Sequence, residues 1–187
     1  MTPIPMTPVP TSADGTDLWV FAYASLMWRP DFAHTEVRDA LLRGYSRRLC
    51  IYSHQYRGTP ECPGLVFGLD LGGSCRGRVL RVASRDVDDV VAYLHKREMI
   101  NQVYHPRMVA TEIGNERVRS LAFVADRGHR QYAGKLETEE AVKLIRQGHG
   151  HGGACREYLM NTAEHLRELG IRDRHLEHLL TLTAQAD

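Results

Sequence analysis

Runs suited to β-strands crowd the front of this 187-residue chain, and helical periodicity takes over only afterwards. That order excludes regular strand–helix–strand alternation, the pattern of a parallel α/β sheet. Leu18-Trp19-Val20-Phe21 is short and bulky enough for a buried strand, and residues 43–52 mix aromatic and branched side chains that favour a strand with Arg47 or Arg48 pointing outward. Residues 65–69 and 76–82, separated by Gly72-Gly73, read as a β-hairpin with a loop longer than two residues. Residues 104–113 and 117–125 flank Gly114-Asn115, a second hairpin signal. Glycines inside the strands point to bends, as in a small closed or half-closed barrel. One helix interrupts the series, from about Ser84 or Asp86 to Glu98, with Ser84 available as its N-cap. Three more follow: Thr138 to about Gln147, Ala154 to Leu169 with a stop at Gly170, and one capped by Asp173 that ends near Leu182. The residues 148–153 break the chain between the first two of these. The class is α+β, with mixed strands first, helices gathered late and no fixed-period repeat.

A chain of this length suits a single domain with a continuous core. Residues 1–16, with Pro3, Pro5, Pro8 and Pro10 among Thr and Ser, are expected as a flexible tail, leaving 17–187 as the domain. The chain carries 24 Lys and Arg against 23 Asp and Glu, a net charge of +1. This balance argues against nucleic acid or a membrane surface as partner and leaves a small molecule. Cys50, Cys62, Cys75 and Cys155 are too widely spaced for structural zinc pairs and read as reduced thiols. No apolar run is long enough to span a bilayer and no signal-peptide pattern opens the chain, so the expected location is cytoplasmic. Oligomeric state is left open.

Two stretches carry candidate chemistry. Val87, Val90, Val91 and Leu94 form a helical stripe that continues at the same spacing to Glu98, which puts a carboxylate on the face expected to meet the core. Burial raises a carboxyl pKa and matches the group to proton abstraction near neutrality. The alternative is a frayed helix-end residue paired with Arg97 or Lys96. Tyr23-Ala24-Ser25-Leu26, where the first strand exits, can present successive backbone N–H groups to an anion or oxyanion; an ordinary strand exit is the alternative. Ser25 lacks the Gly-x-Ser-x-Gly setting of a nucleophile elbow. His149 with His151, and His175 with His178, have no Cys or acidic partner at recognised metal-site spacing, and the glycine-rich 148–153 stretch lacks the Gly-Lys-Ser/Thr ending of a phosphate loop. No metal site is expected.

Three ordered motifs resemble one family: Trp19-Val20-Phe21-Ala22-Tyr23-Ala24-Ser25-Leu26-Met27-Trp28, Arg57-Gly58-Thr59-Pro60-Glu61-Cys62-Pro63-Gly64-Leu65-Val66, and Tyr93-Leu94-His95-Lys96-Arg97-Glu98. Matches at Gln131-Tyr132-Ala133-Gly134 and Glu157-Tyr158-Leu159-Met160-Asn161-Thr162 extend the likeness to about Leu180. The sequence resembles the ChaC-type, glutathione-specific γ-glutamylcyclotransferases. The resemblance implies a γ-glutamylcyclotransferase-like fold, a small mixed β-barrel flanked by helices, working without metal or organic cofactor. It implies a lyase that converts glutathione into 5-oxoproline and cysteinylglycine. Glu98 matches the proton acceptor, and Val20, Phe21, Ala22, Tyr23, Ala24 and Ser25 match the loop that holds the γ-glutamyl group. Arg57, Thr59 and Tyr158 fall in matched motifs expected to bind substrate. The family pattern has glycine at positions 22 and 24; each alanine adds a Cβ that a left-handed backbone would penalise. Before the Glu-Tyr-Leu segment, where the family often carries Asn, this chain has Ala154-Cys155-Arg156. A binding or regulatory protein of the same fold, or a cyclotransferase for another γ-glutamyl amide, are the alternative readings.

Overall fold

A computed structural model of the chain describes residues 8–185. Its main strands are β1 (Leu18–Ala22), β2 (Glu36–Ser53), β3 (Gly64–Val82), β4 (Tyr104–Ile113) and β5 (Glu116–Ala125). They close a barrel in the order β1-β3-β2-β4-β5. The helices are α1 (Val87–Glu98), α2 (Thr138–Gln147), α3 (Cys155–Glu168) and α4 (Arg174–Ala184). The α+β class and the small mixed barrel expected from the sequence are both present. The chain divides into two compact units, Met1–Arg47 with Leu69–Asp126 and Arg48–Gly68 with Arg127–Asp187; β2 and β3 each run on from one into the other.

In the first unit, β1 pairs antiparallel with β3 from Leu18↔Val82 to Ala22↔Arg78, and parallel with β5 at Trp19↔Ser120 and Val20↔Leu121. A strand with neighbours on both edges and little solvent on either face favours a continuous apolar run. Leu18, Val20, Phe21 and Ala22 are all buried accordingly. β4 and β5 pair from Tyr104↔Ala125 to Ile113↔Glu116 across Gly114, whose φ of 58° suits glycine. Between them the buried hydroxyls of Thr111 and Ser120 satisfy each other at 2.6 Å. α1 buries Val87, Val90 and Leu94. Each side chain of this size stabilises the fold by about 1.5–3 kcal/mol when fully buried.

Three expectations are corrected here. Residues 65–69 and 76–82 are not a hairpin but parts of one strand, β3. Gly72 and Gly73, at φ 99° and 77°, lie within it without reversing it. β2 begins at Glu36 rather than near residue 43, because pairing such as Leu41↔Glu112 and Leu42↔Thr111 supplies main-chain partners that its polar first half does not advertise. Ser84 does not cap α1 with its side chain. The N–H of Asp88 in the first turn is instead satisfied by Ser12 Oγ at 3.1 Å, and the Asp88 carboxylate accepts the Ser12 N–H at 3.0 Å.

Ser12 lies in the stretch expected as a flexible tail. Residues 1–7 fall outside the described residues, while Ser12–Asp14 form a 3-10 turn that Thr11 and Asp14 close by reciprocal hydrogen bonds. The Asp17 carboxylate then accepts the Ser84 N–H at 2.9 Å and pairs with Arg81.

In the second unit α2, α3 and α4 pack on one another, burying Ile145, Leu159, Leu166, Leu176 and Leu179. Asp173 caps α4 as expected, accepting the Leu176 N–H at 3.1 Å. The expected break after α2 is a pair of two-residue strands, β6 (His149–Gly150) and β7 (Gly153–Ala154). All four cysteines are free thiols, and only Cys62 is exposed. Among the described residues no helix is long and apolar enough to cross a membrane.

Candidate functional site

β1 ends at Ala22, and after Tyr23 and Ala24 the chain enters a single 3-10 turn, Ser25–Met27. The turn closes through Met27 N–H to Ala24 O at 2.8 Å and Arg29 N–H to Ser25 O at 2.8 Å. The N–H groups of Ala24, Ser25 and Leu26 make no hydrogen bond among the described residues. Neither alanine is left-handed: Ala22 is in a strand and Ala24 has φ −139°, whereas the non-glycine residues with positive φ are Asp31 and Gln102. The close approach that demands glycine occurs on the neighbouring strand, where a Cβ at Gly77 would stand 2.3 Å from Ala22 O.

Two arginines hold this exit. From β2, Arg47 Nη1 donates to Tyr23 O at 2.9 Å and to Arg76 O at 3.1 Å. From α1, Arg97 Nη2 donates to Ser25 Oγ at 3.2 Å, and Nη1 is shared between Arg29 O at 2.9 Å, Pro30 O at 3.3 Å and the Tyr93 hydroxyl at 2.9 Å. Asp31 Oδ2 lies 3.5 Å from the same Nη1, and Arg97 Nε is 3.4 Å from Glu98 Oε1. One guanidinium therefore touches both stretches singled out in the sequence.

Glu98 is the last residue of α1, one turn beyond the fully buried Leu94, and its side chain keeps 19% of its exposure. Burial pushes its carboxyl above the usual range, and the nearby Arg97 charge opposes this without cancelling it. The negative end of the helix dipole disfavours the ionised form as well. Both sequence readings of Glu98 are thus present in one residue, which is core-facing and also paired with Arg97 at a helix end.

Arg57, Thr59 and Tyr158 belong to the second unit and cluster around its glycines. The Arg57 guanidinium lies 5.2 Å from the Tyr158 ring centroid and donates to the carbonyl oxygens of Gly152 and Ala154. The Tyr158 hydroxyl accepts the Phe67 N–H at 3.4 Å. Thr59 closes a turn with Cys62, its hydroxyl accepting the Cys62 N–H at 3.1 Å. Added Cβ atoms at Gly58, Gly64, Gly148 and Gly150 would come within 2.5 Å of backbone in the 53–64 segment. Cys155, in the first turn of α3, donates its thiol to Leu65 O at 3.1 Å and accepts the Leu65 N–H at 3.3 Å; burial pushes its pKa up to about 11. The His151 ring packs 4.5 Å from that of Tyr56.

Sequence reasoning missed the roles of Arg47 and Arg97. Either Arg47 or Arg48 is expected to point outward from its strand, and Arg97 only to pair with its neighbour. The main-chain carbonyls they bind lie far along the chain and leave no local pattern.

The barrel, its helices and the helix-end carboxyl define a protein of γ-glutamylcyclotransferase architecture. A crystal structure of the yeast cyclotransferase specific to glutathione matches with a TM-score of 0.81 at 21% identity, covering 90% of this chain and 98% of that one. A family model described as ChaC-like protein matches residues 18–186, and the chain belongs to this family. The glutathione-specific γ-glutamylcyclotransferase of Escherichia coli is 31% identical over 89% of this chain and 73% of its own length. The human glutathione-specific γ-glutamylcyclotransferase 1 is 32% identical over 93% and 82%.

Proposed function

We propose that this protein is a glutathione-specific γ-glutamylcyclotransferase, releasing 5-oxoproline and cysteinylglycine. The observation that carries the reading is the Glu98 carboxyl, desolvated and joined through one guanidinium to Ser25 at the exit of β1. Glu98 accepts a proton from the substrate's α-ammonium, and the freed amine attacks the substrate's own γ-carbonyl. The carbon–nitrogen bond to the α-nitrogen forms, the amide bond to the cysteine nitrogen breaks, and the two protons that the α-nitrogen gives up, the first by way of Glu98, leave on the departing amine. Atoms balance without water, and the nucleophile comes from the substrate, so correct folding of the γ-glutamyl chain replaces a protein nucleophile. The unused N–H groups of Ala24, Ser25 and Leu26 suit the charge that develops on the carbonyl oxygen. Val20, Phe21 and Ala22 are buried and hold in place the strand end at Tyr23 that the γ-glutamyl group lies against. The assignment of Arg57, Thr59 and Tyr158 to substrate selection rests on their motifs.

Incubation of the purified protein with glutathione, γ-glutamylalanine and γ-glutamyl-ε-lysine, followed for 5-oxoproline, tests this reading. Product from glutathione alone is expected. Product chiefly from another amide reassigns the substrate, and product from none by the folded protein removes the enzyme reading. The working location is cytoplasmic, where glutathione is abundant.

A further inference from the structure

Arg97 has a place in this site that proton abstraction by Glu98 does not by itself require. Its guanidinium makes contacts in two directions, toward the Ser25–Asp31 segment through its Nη atoms and toward Glu98 through Nε. Neighbouring residues on a helix diverge by about 100° around its axis, so a contact between positions 97 and 98 needs both side chains turned to one side. The segment is bent to receive this guanidinium. Asp31 sits at φ 56°, a conformation that Asp tolerates better than most side chains, and it directs its carboxylate at Arg97 Nη1. With its side chain 22% exposed, Arg97 makes these contacts largely out of water.

We propose that Arg97 is a positioning residue that fastens the Ser25–Asp31 segment to the end of α1 and fixes the Glu98 carboxylate relative to Ser25. The inference rests on the cyclotransferase reading of the same site. The charged and titratable groups facing Arg97 are Glu98 and Tyr93 from α1 and Asp31 from the segment, with Glu98 the acceptor on its Nε side. Geometry separates two contributions of the side chain. A lysine at position 97 keeps a positive charge beside Glu98 but cannot engage Ser25 Oγ, the carbonyls of residues 29 and 30 and Glu98 at once, because its donors radiate from a single nitrogen. A glutamine removes the charge as well.

The experiment compares wild type with Arg97→Lys, Arg97→Gln and Glu98→Gln, reading kcat and KM for glutathione against pH and, independently of turnover, the Glu98 carboxyl titration by carbon-13 NMR. Arg97→Lys is expected to lower kcat by roughly 10- to 100-fold, the scale of a displaced catalytic group, with the Glu98 titration close to wild type. Arg97→Gln is expected to lower kcat at least as far and to move the Glu98 titration and the acid limb of kcat/KM together to higher pH, since a neighbouring cation has been lost. Wild-type kcat in Arg97→Lys, or an unmoved Glu98 titration in folded Arg97→Gln, overturns the inference. Near-normal turnover in Glu98→Gln overturns the underlying reading instead, and the NMR titration still reports on the link between Arg97 and Glu98.

Discussion

The exit of β1 in the first unit and the glycine-lined loop of the second solve one problem in opposite ways. At the exit, long side chains reach across: Arg47 and Arg97 take carbonyls and a hydroxyl at 2.9–3.3 Å, and Ala22 and Ala24 fit there without a left-handed backbone. In the second unit main chain meets main chain. An added Cβ at Gly64 would stand 2.0 Å from Arg57 O and one at Gly148 2.5 Å from the same atom. A loop held by guanidinium groups tolerates a Cβ; a loop held by backbone contact does not. Glycine at such a turn is therefore a statement about what touches it.

Gly64→Ala should break the comparison hardest. Backbone cannot yield as a side-chain tip can, so the expected loss is about 4 kcal/mol or more of unfolding free energy, read by urea denaturation. Glu98→Gln comes next, with kcat for 5-oxoproline release reduced by roughly 10²- to 10⁴-fold in a protein that still folds. Arg47→Met leaves Tyr23 O and Arg76 O without their charged donor and should cost about 1.5–3 kcal/mol in the same denaturation assay. Ala24→Gly, at a position with φ −139°, removes no contact of this kind and should cost only about 0.5–1 kcal/mol through added chain entropy.

Glu98 also makes stability depend on pH. The folded protein keeps the Glu98 proton to higher pH than the unfolded chain does, because its pKa is raised. This group's contribution is therefore full below the ordinary carboxylate pKa and is lost as pH climbs through the raised folded value. Glu98→Gln should melt above wild type at neutral pH, and the gap should close in acid. A gap of opposite sign at neutral pH would mean that pairing with Arg97 outweighs desolvation.

Local signals were legible. Gly114-Asn115 fixed a hairpin because the two strands it joins are neighbours in sequence, and the stripe through Leu94 pointed at Glu98 because helical spacing carries facing information. Gly72-Gly73 misled because two glycines look alike whether the chain reverses or bends; only the distant partner of β3 decides. The early half of β2 stayed hidden for the same reason, since its pairing with β4 lies some seventy positions away at Leu41↔Glu112. Strand glycines and the family resemblance both pointed to the barrel, and the resemblance gave the strand exit its expected role, while the two arginine clamps required coordinates.

Cys155 has a consequence for labelling chemistry. Its sulfur is enclosed between the N–H and C=O of Leu65 and titrates at about 11, so at neutral pH almost none of it is thiolate. Cys50 and Cys75 are buried too, which leaves Cys62 as the accessible thiol. A single electrophilic probe added to the native protein should therefore mark one position, Cys62, and the delayed appearance of label at Cys155 would time the opening of the second unit directly.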